Sequence, residues 1–263
     1  MSNSLFTAKK EIVEMCRRIY QRGYVAANDG NVSVRVDDEH IVLTPTGMSK
    51  GFLQTADLVV VDINGNKIAG RLNASSESKM HLAIYRARKD VNAVVHAHPP
   101  TATGFAVAGI PLTKCVLPEV IISIGSIPIA EYATPGTEEL ADVVVRYLNQ
   151  YDAILMENHG AITVGDTVTN AHFKMETMEH FAKITFVAHQ LGNVKVLPGT
   201  EVGDLIALRE KFGIRTSGPL CELPGKQVSA PKAEEPATGD PPSQQLIEDI
   251  TRQVMTNLKK PQS

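Results

Sequence analysis

Cysteine is scarce in this chain, with three among 263 residues. Cys16, Cys115 and Cys221 are odd in number and far apart. The sequence therefore predicts neither a disulfide framework nor a zinc knuckle, and a reducing compartment is the expectation. No run of about 20 apolar residues is present, which argues against a membrane-spanning helix. The N-terminus, Met1-Ser-Asn-Ser-Leu-Phe-Thr-Ala-Lys-Lys, lacks an apolar core before a cleavage site, so it does not read as a secretory leader and a cytoplasmic location is expected. An excess of basic residues is also missing. The net charge of −3 offers no electrostatic footprint for nucleic acid. Neither Gly-x-Gly-x-x-Gly nor a Walker sequence occurs, so neither a dinucleotide nor ATP is inferred.

What is present is an ordinary globular composition, 43% hydrophobic and 21% charged, in a chain long enough to bury a substantial core. Ile12, Val13, Met15, Cys16, Ile19 and Tyr20 have helical spacing, predicting a helix over about 7–22 that stops at Gly23. Asn28-Asp29-Gly30-Asn31 reads as a turn, followed by Val32–Val36, which alternates like a half-buried strand, and by its hairpin partner at Ile41–Thr44. A second hairpin spans 58–69 around Asn64-Gly65. Ser78–Arg88 is predicted to be helical, and Ala93–Val95 a buried strand. Val116–Ile129 is apolar and β-branched but broken by Pro118, Gly125 and Pro128. Thr137 caps a helix running to about Gln150, and Asp152–Glu157 is a buried strand. A long helix starts at Thr167 or Thr169 and ends near Leu191. Interspersed hairpins and helices predict one α/β domain, residues 1–221, with a largely antiparallel or mixed sheet flanked by helices.

The candidate chemistry centres on Ala93-Val-Val-His96-Ala-His98-Pro99. Residues two apart on a strand face the same way, so His96 and His98 project together where the strand ends. His159, before Gly160, offers a third imidazole. Three neutral nitrogens with a coordination position to spare form the catalytic rather than the structural arrangement for zinc, able to polarise a carbonyl and stabilise an enediolate. Glu77, after Ser75-Ser76, is the candidate proton carrier. The alternatives are a capped turn for His159 and an ordinary first-turn acid for Glu77. Anion binding is the second theme. Ser75 and Ser76 sit at a helix start, while Gly30-Asn31 and Thr44-Pro45-Thr46-Gly47 are tight polar turns able to present further N–H groups. The plainer reading makes them hairpin turns and a helix cap. His172, Glu176 and His180 recur every four residues, but a polar helix stripe explains them better than a metal. His40, His81 and His189 read as incidental.

Residues 222–242 hold five of the fifteen prolines and almost no large apolar side chain, predicting an extended linker. Beyond it, Leu246, Ile250, Val254 and Leu258 fall at four-residue steps, predicting a docking helix over 243–260 about 27 Å long. Such a helix is marginal alone in water.

Taken in order, Gly30-Asn-Val-Ser-Val-Arg35, Thr44-Pro-Thr-Gly47, Ser75-Ser-Glu77, His96-Ala-His98, Tyr132-Ala-Thr-Pro-Gly-Thr137 and Asn158-His-Gly160 resemble the class II aldolase/adducin family over about residues 5–217. The resemblance implies a homotetramer of one α/β domain. It implies one zinc ion per subunit on His96, His98 and His159, and acid/base catalysis by Glu77. It also implies a sugar phosphate held by Gly30, Asn31, Thr46, Gly47, Ser75 and Ser76. The activity implied is cleavage of a deoxyketose 1-phosphate to dihydroxyacetone phosphate and L-lactaldehyde, with a pentulose-phosphate 4-epimerase or a sugar-phosphate dehydratase as the family's alternatives. The adducins, which are not enzymes, would be expected to have lost the histidines. The chain departs from the family aldolase at Asn28, where that enzyme has threonine, and near Cys115 and at Phe212, where it has functional tyrosines. The tail resembles the encapsulation peptides of bacterial microcompartment cargo, which implies a shell-protein partner for residues 243–260.

Overall fold

The computed structural model describes residues 5–214 and 220–222. The chain divides into two units, 1–230 and 231–263, and the second lies outside the described residues. So do the predicted linker, apart from Glu222, and the predicted docking helix.

Eight strands form one sheet in the order β4-β3-β2-β1-β5-β8-β7-β6. They are β1 (Asn31–Arg35), β2 (Ile41–Leu43), β3 (Val59–Val61), β4 (Lys67–Ala69), β5 (Ala93–Ala97), β6 (Ile129–Ala130), β7 (Ala153–Met156) and β8 (Gly160–Gly165). Every pairing is antiparallel except β6 with β7, as the interspersed hairpins and helices predict. The helices are α1 (Leu5–Gln21), α2 (Ser78–Ala87), α3 (Pro100–Val107), α4 (Pro118–Ser123), α5 (Glu138–Leu148), α6 (Val168–Gln190) and α7 (Gly199–Lys211). None of them is long and apolar enough to cross a membrane.

Strand alternation sorts the core into two layers. Ala93, Val95 and Ala97 of β5 pack with α1, α3 and α6, whereas Val94 packs with α2 and α5 on the other face. His96, two residues on from Val94, therefore points into the α2 side. Thr137 caps α5 as expected, its hydroxyl accepting from the Leu140 amide, and Thr167 caps α6 in the same way through Asn170.

Three expectations need correction, and a stretch that the sequence does not assign gains its elements. Val32–Val36 does not present a polar face to water: β1 is buried throughout, because α2 covers Ser33 and Arg35. The broken 116–129 stretch folds as α4, with Pro118 in its first turn where the missing N–H costs nothing, and then as β6. His172 is wholly buried rather than on a polar stripe, although His180 is exposed and Glu176 pairs with Arg22 at 3.0 Å. Cys115 and Cys221 form a disulfide across a sequence separation of 106. Linear distance hid a neighbourhood made by tertiary contact, in which the Glu222 amide donates to the Thr113 carbonyl at 2.7 Å.

Candidate active site

β5 and the β7–β8 hairpin build the centre. Glu157–His159 is a three-residue loop closed by the Met156–Gly160 pair. Its Asn158 adopts φ +53°, a left-handed conformation that Asn tolerates better than most residues. Because β8 pairs with β5, with Ala161 opposite Ala97, His159 comes to lie beside His96 and His98. The ring centroids are 4.8 to 5.2 Å apart, and the three ligand nitrogens lie within 4.8 Å of one another. Two glycines allow this closeness. A Cβ on Gly160 would stand 2.5 Å from His98 Cδ2 and 2.7 Å from the Ala97 carbonyl. Gly30 has φ +70°, and a Cβ there would stand 2.8 Å from the His96 carbonyl.

The His96 Nδ1 lies 2.9 Å from the Ala161 carbonyl. A carbonyl only accepts, so Nδ1 carries the proton and the Nε2 lone pair faces inward. Burial pulls the His96 pKa down to about 3 and lowers that of His159, which keeps both rings in the neutral, ligating form. His96 Nε2 faces His98 Nε2 at 3.2 Å, close enough to accept a hydrogen bond from it or to share a cation with it. His98 is held from behind: its amide donates to the Tyr24 carbonyl at 2.8 Å, and Asp29 lies 3.6 Å from its Nδ1. Asp29 is a residue that sequence reasoning passed over. Its one visible signal was its place beside Gly30 in a polar turn.

Glu77 stands at the N-cap of α2, yet its side chain makes no capping bond. It turns instead towards the histidines. Asn31 Nδ2 donates to its Oε2 at 2.6 Å, His96 Nε2 is 3.3 Å from Oε2, and His159 Nε2 is 3.4 Å from Oε1. Burial alone would raise the Glu77 pKa, but His96, His159 and Asn31 outweigh it and hold the carboxyl below its ordinary value. Glu77 Oε1, Asn31 Oδ1 and His159 Nδ1 are buried without a hydrogen-bond partner. Three inward imidazoles, an adjacent carboxylate and unspent polar atoms fit a divalent cation.

The candidate anion-binding residues gather in two groups that meet at Glu77. Asn31 pairs with His96 across β1 and β5. The Thr46 amide donates to the Asn73 carbonyl at 3.0 Å and the Ser75 amide to the Thr44 carbonyl at 3.2 Å, so Thr46-Gly47 lies alongside Ser75-Ser76. The Glu77 amide, in turn, donates to Ser75 Oγ at 3.3 Å.

His81 is not incidental. It is 2% exposed, with Nδ1 2.7 Å from Ser33 Oγ, which itself lies 2.7 Å from the Tyr85 hydroxyl. Burial lowers the His81 pKa to about 4. The pattern follows from geometry. Four helical residues advance about 6 Å and two strand residues about 6.6 Å, so successive turns of α2 meet alternate residues of β1. Glu77, His81 and Tyr85 thus face Asn31, Ser33 and Arg35. That four-against-two spacing is visible in the sequence, though only once the two segments are known to pack together.

A profile of the class II aldolase and adducin N-terminal domain matches residues 10–186. The chain belongs to the class II aldolase and adducin family. It is 39% identical over 181 residues to an L-fuculose phosphate aldolase of Methanococcus maripaludis, an alignment spanning 69% of this chain and 97% of that one. It is 33% identical over 207 residues to a 3-oxo-tetronate 4-phosphate decarboxylase of Haemophilus influenzae, spanning 75% and 96%. Among solved structures, an L-fuculose 1-phosphate aldolase superposes with a TM-score of 0.71 at 33% identity, over 78% of this chain and 96% of that one. The chain is an enzyme of this class II aldolase family, close to the L-fuculose phosphate aldolases, and its His96, His98 and His159 form a cluster able to hold a metal ion.

Proposed function

We propose that this class II aldolase cleaves a deoxyketose 1-phosphate, L-fuculose 1-phosphate or L-rhamnulose 1-phosphate, to dihydroxyacetone phosphate and L-lactaldehyde. The observation that carries the proposal is the Glu77 carboxylate, desolvated within 3.3 and 3.4 Å of two inward-facing imidazole nitrogens and aimed by Asn31. His96, His98 and His159 hold the cation, and a donor set of three imidazoles with positions to spare suits zinc. Bound there, a divalent cation supplies electrophilic polarisation of the substrate carbonyl. Glu77, ionised in the resting site, accepts a proton from the substrate hydroxyl or returns one to the carbon released by cleavage. Gly30, Asn31, Thr46, Gly47, Ser75 and Ser76 hold the phosphate, Thr46 and Ser75 through their hydroxyls because their amides already donate to the Asn73 and Thr44 carbonyls. The names of the relatives support both the sugar phosphate and the aldol reaction.

A decarboxylase-like reaction is the second reading, favoured by the 33% identity to the tetronate-phosphate enzyme. Loss of carbon dioxide from a 3-oxo acid and retro-aldol cleavage both leave carbanionic charge beside a carbonyl. The same site could therefore serve either. The deciding experiment assays zinc-loaded protein on fuculose, rhamnulose and ribulose 1-phosphates and on a 3-oxo-tetronate 4-phosphate, comparing wild type with Glu77→Gln. Release of dihydroxyacetone phosphate that falls by about 10²–10⁴ in Glu77→Gln at unchanged zinc content supports the aldolase. Turnover of the oxo acid alone replaces it with the decarboxylase.

Homotetramers, and delivery to a bacterial microcompartment by residues 243–260 on a linker, belong to the same proposal. Leu246, Ile250, Val254 and Leu258 at four-residue steps support the docking face. Removing residues 222–263 should abolish co-purification with shell proteins while cleavage continues, and continued co-purification would discard the targeting role.

A further inference from the structure

The two turns assigned to the phosphate are joined underneath by one buried cation. Lys50 is 2% exposed. Its ammonium donates to the Met48 carbonyl at 2.7 Å and to the Asn28 carbonyl at 2.8 Å. Met48 follows Thr46-Gly47 directly, and Asn28 opens the turn that leads into Gly30-Asn31. Among the described residues Lys50 has no ion-pair partner within contact distance, and an ammonium has a third donor still to offer. Burial pulls its pKa down, and Cys16, Asp29 and Glu77 offset this only in part.

Burying a cation against neutral carbonyls is costly, and an apolar side chain of similar length would fill the same space with less penalty. The position of this charge gives it a use. It sits behind two backbone turns that reach the site, where an arriving dianion supplies the missing opposite charge.

We propose that Lys50 is the positioning residue of the phosphate subsite, fixing the spacing of the 28–31 turn and the 44–48 loop and placing positive charge behind both. The inference rests on reading those turns as the phosphate subsite. Lys50 need not touch the substrate. It sets the geometry and the field in which the amides of Gly30 and Gly47 act.

Inorganic phosphate is the probe, as a competitor of the phosphorylated ketose on the zinc-loaded full chain. Lys50→Met should raise KM for the ketose phosphate and the inhibition constant for inorganic phosphate together by about 10-fold or more, with kcat within about threefold and zinc content unchanged. Lys50→Gln keeps a donor but no charge and should resemble the Met variant. A Met variant with wild-type KM and wild-type phosphate inhibition overturns the inference. So does an equal loss on the unphosphorylated ketose, which is what a merely structural lysine would produce. Wild-type protein indifferent to inorganic phosphate instead removes the subsite reading itself. Where the variants do not fold, wild-type protein labelled with [15N]lysine decides: the Lys50 ammonium resonance should move on adding inorganic phosphate, and a stationary signal refutes the proposal.

Discussion

At the N-terminal ends of β5 and β7, Asp152 accepts from Arg88 at 3.0 Å and from Lys174 at 2.8 Å, while Arg88 also binds Asp90 and the Leu148 carbonyl and Lys174 the Val164 carbonyl. A cavity of about 490 Å³ opens beside this group, but its charges neutralise one another. At the C-terminal ends of the same two strands stand His96, His98, His159 and Glu77. There, Glu77 Oε1, Asn31 Oδ1 and His159 Nδ1 are left buried without a hydrogen-bond partner. Both clusters bury charge at the rim of one sheet. One closes upon itself and serves the fold; the other holds polar capacity in reserve, which is what a site awaiting a cation and a substrate requires.

The contrast breaks first, and most heavily, at Asp152. Asp152→Ala leaves Lys174 half-buried without a carboxylate and Arg88 with Asp90 alone, and should cost about 3 kcal/mol of stability, read by urea unfolding, with kcat per folded molecule unchanged. A loss of turnover at full folding would mean that the two ends are coupled after all. On the open side the expected loss lies in metal affinity. Gly160→Ala drives a methyl group into His98 and the Ala97 carbonyl, with no flexible side chain able to yield at the carbonyl. Metal affinity should fall about 100-fold, equivalent to about 2.7 kcal/mol, measured by competition with a chelator. Unaltered affinity would show that the hairpin can shift without disturbing the triad.

The same contrast explains what the sequence could reveal. His96 and His98 were legible because strand geometry converts a spacing of two into a shared direction, and Thr137 because capping is local. Glu77 was legible as a residue type beside two serines, but its turn away from the helix end was not, since Asn31 lies 46 positions earlier. Alternation misled at Ser33 and Arg35, where polar side chains facing a polar helix look the same on paper as polar side chains facing water. β8, α3 and α7 carried no signal that was read: β8 begins and ends in glycine, and α3 opens with prolines that suggest a loop. The cysteine pair was hidden by distance along the chain. Local chemistry reached the metal ligands; contacts between distant segments supplied their surroundings.

His81 gives the smallest effect and the finest separation of the two ends. Its folded pKa of about 4 lies below the 6.5 of an unperturbed histidine, so between these values the unfolded chain binds the extra proton and stability must fall as the pH falls. With those two values the loss from this residue by pH 5 is about 2 kcal/mol. His81→Asn keeps a polar partner for Ser33 Oγ but cannot titrate. Urea unfolding of metal-loaded protein at pH 7 and pH 5 should therefore show wild type losing about 2 kcal/mol more than the variant. Arg88, Asp152 and Lys174 are common to both proteins, so whatever they contribute cancels in the difference. If wild type and His81→Asn fell equally, the acid sensitivity would belong elsewhere, and the column of polar contacts between α2 and β1 would have to be counted with the closed, structural end of the sheet.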